Sequence, residues 1–308
     1  DQGERGNRAC HRAVSHAMSS WSVVPLEAYY PGGRVAQSFA VNELTTCPRT
    51  AVPESDRTYG HRGFTLQART PDGQPDLQGI WVNFDSTPFE ADTSLAQSDV
   101  NPPSHWTDHD SPMSAKRRSM VVDPPEGRIP VQKWAEDKRD YDLAHLEDAP
   151  VHETPWVRCI TRGMPAGMFP AGYNNAYQII QIPGYVVMAF EMIHETRIIP
   201  LDGSPHLGSG IRLWAGDPRG HFEGTTLVVE TDHIKAGYFD HEGVPQSDQI
   251  KTVERFIPNA DYTRLDYTLT TTDPVNFEKS FELKRYFVWR PGDYVHPYEC
   301  LDRLEPGK

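Results

Sequence analysis

The sequence predicts a mainly β protein: an antiparallel barrel or sandwich with a few short helices and an irregular N-terminal extension. Two observations carry this. Apolar and polar residues alternate with period two at 185–199, 225–233, 263–271 and 281–290, the spacing of half-buried strands. Between and after these runs stand turn signals, Pro183-Gly184, Asp202-Gly203, Glu223-Gly224 and Pro291-Gly292-Asp293, with no crossover helix of the kind a parallel sheet requires.

Taken in order, residues 1–69 form an extension distinct from a β-rich domain over 70–308. Its positive charge is all arginine, the first lysine being Lys116; it carries one Ala-rich helical patch at 8–19, and Pro31-Gly32-Gly33, Pro48 and Pro53 interrupt the rest. Such weak periodicity does not build an independent core. The turn Pro71-Asp72-Gly73-Gln74-Pro75 leads into a strand around Gly79, Trp81 and Phe84. Residues 87–119 are polar and aperiodic, which predicts a long loop. A short strand at 120–123 meets Pro124-Pro125, and a charged helix follows over 131–146 behind Pro130. The 173–190 stretch, broken by Asn174, Asn175 and Pro183-Gly184, reads as a buried hairpin and not as a bilayer-length helix. After 225–233, 263–271 and 281–290, the last turn reverses the chain into 294–300.

Composition narrows the function classes. A chain of 308 residues with net charge -13 and 37% hydrophobic residues, and a mean hydropathy of -0.60, has the profile of a wetted globular protein with room for a sizeable core. The acidic balance argues against a nucleic-acid partner, because no basic surface is available to displace counterions from phosphates. Cys10, Cys47, Cys159 and Cys300 lack CxxC spacing, which argues against zinc-ribbon, thioredoxin-type and haem-attachment motifs. Four cysteines allow three pairings. Separation by region favours Cys10 with Cys47 and Cys159 with Cys300, against the alternative of buried thiols in a reducing compartment. A start at Asp1 is compatible with a mature chain whose export signal has been removed.

Two resemblances add to this reading. The Gly79-x-Trp81 entry resembles the opening of lipocalin-like barrels, in which the tryptophan plugs the closed end. A longer series also forms a pattern: Val122-Asp123-Pro124-Pro125-Glu126-Gly127-Arg128-Ile129-Pro130, Cys159 with Gly163-Met164-Pro165, Asp202-Gly203 with His206, the run from Gly220-His221-Phe222-Glu223-Gly224 to Thr231, and Tyr298-Glu299-Cys300. It resembles a widespread group of exported bacterial proteins of uncharacterised function over about Pro71 to Asp302. That resemblance implies export, to the periplasm or beyond, and one β-rich domain. It supplies no reaction, cofactor or catalytic residue. With export, the placement of Cys159 and Cys300 at the two ends of the β region predicts a disulfide between them.

The chemistry is read from residue types. GxSxG, GxGxxG, P-loop and HExxH motifs are missing from the sequence, so the expectation is a cofactor-independent protein with no resident metal. His206, His221, His233 and His241 offer imidazoles, but no ligand spacing links them. On a continuous 185–199 strand, Val186, Met188, Phe190, Met192 and His194 share one face, and Val187, Ala189, Glu191, Glu195 and Arg197 the other. His194 would then end an apolar stripe, a setting suited to general acid–base work. His206 or His221 would be the second group, Glu191 or Glu223 the orienting carboxylate, and Arg197 the oxyanion holder. Phe190, Met192 and Trp214 would line the pocket. The competing expectations are a hydrogen-bonded core histidine at 194 and a structural network at Glu191 and Arg197. Two functions follow: an acid–base lyase, isomerase or hydrolase acting on a small apolar or aromatic molecule, or a carrier that binds such a molecule unchanged. Convergence of His194, His206, His221 and Glu223 would favour the first.

Overall fold

A computed structural model describes residues 69–83, 87–91, 117–145, 148–171, 174–240 and 243–300. The expectations for residues 1–68, for 92–116, and for Cys10, Cys47 and His241 lie outside the described residues.

The alternating runs pair as antiparallel strands. They are β1 (Gly79–Val82), β2 (Val121–Asp123), β3 (Ala176–Ile182), β4 (Tyr185–Phe190), β5 (Thr196–Pro200), β6 (Asp217–Glu223), β7 (Thr226–Asp232), β8 (Gly237–Tyr238), β9 (Pro245–Gln246), β10 (Lys251–Pro258), β11 (Arg264–Thr272) and β12 (Phe281–Trp289). Nine of them form one sheet in the order β5-β4-β3-β1-β12-β11-β10-β7-β6; β2 pairs with β12 off this path, and β8 and β9 form a separate ribbon. The sheet curls into a nearly closed barrel. Read around the wall from β1, its strands follow sequence order, as in an up-and-down barrel.

Nine is an odd number, and that decides where the barrel stays open. Every ladder on the path is antiparallel, so the two end strands, β5 and β6, must run in the same direction. No ladder joins them. Side chains seal the seam instead: a Cβ added at Gly220 on β6 would lie 2.7 Å from Ile199 and 2.8 Å from Leu201, so glycine there lets both leucine and isoleucine pack against the strand. Residues 201–216 must therefore climb the barrel wall to start β6. They are tied at one end by the Leu201 N–H to the Gly184 carbonyl (2.8 Å) and at the other by a bridge between Leu213 and Ile234.

The barrel interior is aromatic. Tyr177 meets Phe190 and Phe287 edge-on at 5.3 Å each, and Tyr267 meets Phe256 at 5.0 Å and Phe287 at 5.6 Å, arrangements that add to the burial of their surface. Trp81 is buried in the same core and donates its indole N–H to the Leu77 carbonyl at 2.8 Å. Gly79 is needed beside it. Its φ is +127, and a Cβ would stand 2.6 Å from the indole nitrogen of Trp289.

The structure corrects several expectations. The run 185–199 is not one strand: Ile193 and His194 take φ of +61 and +53, a 3-10 turn occupies Met192–His194, and the chain reverses into β5. Periodicity cannot register such a reversal. The shift in phase puts Arg197 opposite Met188 on the inner face, not with Val187. The helix, α1 (Lys133–Ala144), starts later than expected because Val131 bridges Phe277 and the Gln132 N–H bonds the Asn276 carbonyl at 2.8 Å. Residues 294–300 form no strand. They cross the outside of the sheet, where Val295 packs on Ile80, Val82 and Ala176, and end with Cys300 at disulfide distance from Cys159, the Cα atoms 5.7 Å apart. No helix among the described residues is long and apolar enough to cross a membrane.

Candidate functional site

Two adjoining clefts open at one end of the barrel, and Gly163 lines both. The segment carrying it is held by three hydrogen bonds. Glu195 accepts the Thr161 hydroxyl and the Arg162 backbone N–H, the latter at 3.0 Å, and the Met164 N–H donates to the Trp214 carbonyl at 2.9 Å. Gly163 has φ +63, and the Trp214 carbonyl would be 3.4 Å from a Cβ placed there.

The first cleft lies between Trp156, Trp214 and Tyr238, is open to solvent, and has Arg162, Thr154, Asp240 and Gln246 among its lining residues. Arg162 is buried. One of its terminal nitrogens, Nη1, donates to the Phe169 carbonyl at 3.0 Å, its guanidinium lies 5.1 Å from the Trp156 ring centroid, and Nη2 has no hydrogen-bond partner among the described residues. Burial pulls this guanidinium below its ordinary pKa, although arginine stays protonated in proteins. Gln246 spends its amide nitrogen on the Met164 and Lys235 carbonyls, and its Oε1 and the Thr154 hydroxyl have no hydrogen-bond partner among the described residues. Aromatic walls with a few convergent polar atoms are the composition of a small-molecule pocket. Tyr238 donates to the Val151 carbonyl at 3.2 Å, and burial raises its phenol pKa.

The second cleft, also open, is lined by Phe190, Arg197 and Ala215 among others. Arg197 reaches inward to a buried network: its Nη2 donates to Glu254 and to the Thr231 hydroxyl, and Tyr267 donates to the other Glu254 oxygen at 2.9 Å. Burial first, and then the Glu254 charge, push the Tyr267 phenol well above its ordinary pKa. Arg285, also buried, lies 5.4 Å from the Tyr267 ring centroid and 5.1 Å from that of Phe287.

Compared with protein-family models, curated proteins and solved structures, the chain matches none.

The expected catalytic group does not assemble. His194 is exposed on the turn after β4, where its Nε2 accepts the Tyr298 N–H at 3.2 Å. Glu191 is fully buried and holds backbone, accepting the N–H groups of Ala176 at 2.9 Å and His296 at 2.7 Å. His221 and Glu223 lie on the exposed end of β6, 3.3 Å apart, with Arg255 on Glu223 at 2.7 Å; that end is six residues, about 20 Å of strand, from Asp217. Of the expected pocket residues, Trp214 and Phe190 line one cleft each, whereas Met192 is buried away from both.

His206 does meet titratable partners, but not the expected ones. It joins Asp217, Asp232 and His233, one ligand atom from each lying within 4.8 Å of all the others. Sequence reasoning grouped His206 and His233 among four imidazoles and did not identify the two aspartates. Arg162, Gln246 and Glu254 went unread because each is a polar residue on an inward face; the one available signal for Arg162 was a cation just ahead of the Gly163-Met164-Pro165 turn.

Proposed function

We propose that this is an exported barrel that binds a small, largely apolar or aromatic molecule carrying an anionic or strongly accepting group. The observation that carries the reading is the buried Arg162, whose Nη2 lacks a hydrogen-bond partner among the described residues, in a cleft walled by Trp156, Trp214 and Tyr238. A buried donor left unpaired is costly, and a ligand oxygen satisfies it. Gln246 Oε1 and the Thr154 hydroxyl would orient a second polar group on the same molecule. Export is supported by the cysteine pair, since disulfides persist in oxidising compartments.

Binding is preferred to histidine-based turnover because neither cleft is lined by a histidine among the described residues; the carboxylates there are Asp240 in the first cleft and Glu195, which holds the Thr161 hydroxyl and the Arg162 N–H, in the second. The test pairs two fluorescent probes of similar shape, anionic 1-anilinonaphthalene-8-sulfonate and neutral N-phenyl-1-naphthylamine. Both bind saturably to the wild-type protein. Arg162→Met, checked for folding by thermal melt, lowers affinity for the anionic probe about 10- to 100-fold, the worth of one charge-assisted hydrogen bond, and leaves the neutral probe nearly unchanged. Equal losses for both probes, or no saturable binding by the wild type, would overturn the reading.

A further inference from the structure

The ladder between β6 and β7 ends on an unfavourable pair. Asp217 and Asp232 are register partners, so two carboxylates stand directly opposite each other on one face, an arrangement that is destabilising unless compensated. Arg219 compensates one of them, donating to Asp217 Oδ1 at 2.7 Å. The remaining oxygens turn toward imidazoles. His206 Nδ1 lies 3.0 Å from Asp217 Oδ2 and 3.0 Å from Asp232 Oδ1, and His233 Nδ1 lies 2.5 Å from the same Asp232 oxygen. The groups come from three segments: the climbing connection 201–216, the start of β6, and the end of β7 with the residue after it.

We propose that His206, Asp217, Asp232 and His233 form a binding site for one divalent transition-metal ion of zinc-like chemistry. Two imidazole nitrogens and two carboxylate oxygens make the mixed N/O set that a four-coordinate ion of this kind takes, and four protein ligands leave the site structural in character. The surroundings are arranged as an outer shell: Arg219 and the Leu207 N–H, at 2.7 Å, hold the Asp217 carboxylate in place from outside the cluster. A cation there supplies Asp232 with a counter-charge that does not depend on histidine protonation. Binding displaces the protons shared between the imidazoles and carboxylates.

The position gives the ion a purpose. His206 belongs to the connection between β5 and β6, Asp217 and Asp232 belong to the barrel wall, and His233 is the residue after β7, so the ion would pin the connection to β6 and β7, beside the seam where no ladder closes the barrel. It would also steady a wall of the first cleft, since the Leu213 N–H, next to Trp214, bonds the His233 carbonyl at 3.0 Å. This site stands independently of the ligand reading.

The experiment uses the full chain after removal of metal by a chelator. Calorimetric titration with Zn2+ gives a site with one ion per chain, saturating Zn2+ raises the melting temperature by about 5–10 °C, and Co2+ produces the visible absorption of a low-coordinate site. His206→Ala and the near-isosteric Asp232→Asn each weaken that site by about 100-fold or more and abolish the Co2+ band, while His221→Ala, on the exposed end of β6, changes neither. Asp232→Asn keeps the test decisive if His206→Ala folds poorly. Absence of stoichiometric binding and of a melting shift in the wild type, or full retention of both in a folded His206→Ala or Asp232→Asn protein, overturns the proposal.

Discussion

Replacing Glu254 by glutamine isolates the charge at the centre of the barrel. Glu254 and Arg197 are both essentially inaccessible to water, and Glu254 is the only carboxylate paired with Arg197 among the described residues. The amide keeps the shape of the side chain and leaves an oxygen to accept the Tyr267 hydroxyl, but it turns an N–H group or a weaker acceptor toward the guanidinium. Arg197 Nε and Nη1 already lack hydrogen-bond partners among the described residues, so only the neutral Thr231 hydroxyl remains to accept from the guanidinium. Removing one member of a buried ion pair costs about 3–5 kcal/mol, which for a domain of this size lowers the melting temperature by about 6–20 °C. Urea denaturation followed by tryptophan fluorescence gives the free energy, and far-ultraviolet circular dichroism checks that the transition remains a single one. The triple variant Arg197→Met/Glu254→Leu/Tyr267→Phe should recover most of the loss, because apolar residues of similar volume remove both charge-desolvation costs and leave no phenol stranded. A Glu254→Gln protein within about 1 kcal/mol of wild type would refute the idea that this pair is held away from water.

The cysteine pair encloses a long stretch of chain, with a sequence separation of 141, and the chain-entropy treatment assigns such a closure about 5 kcal/mol. Cys300→Ser and reduced wild type should therefore show similarly lowered stability, whereas alkylation of Cys159 and Cys300 without reductant, read by peptide mapping, would contradict the bond. Asp142 makes stability depend on pH. Burial alone would raise its pKa, but hydrogen bonds from Lys138 and His152 outweigh that and hold it below the ordinary carboxyl value. Its contribution is thus fully present above about pH 4 and is lost as pH falls through the depressed folded-state pKa. Urea midpoints for Asp142→Asn should fall less steeply than those of wild type over that acid range, and parallel acid limbs for the two proteins would count against this assignment.

The antiparallel β class, the hairpin at Pro183-Gly184 and the strands near 226–232, 264–272 and 281–289 were legible in the sequence, because period-two burial and turn residues are local properties of the chain. The same locality explains what was missed. Strand β10 places Thr252, Glu254 and Phe256 inward, so an alternation judged by hydrophobicity passes over it. The reversal at Ile193 and His194 was hidden since apolar residues continue through it; only after the chain turns does Arg197 point into the barrel and His194 out toward the 294–300 segment. The closing partner of each strand, the parallel seam between β5 and β6, and the meeting of His206 with Asp217, Asp232 and His233 depend on contacts between residues distant along the chain. Local pattern sets which face of a strand is wet. Which side chains meet at the ends of the strands follows from strand count, direction and register, and those exist only once the sheet has curled.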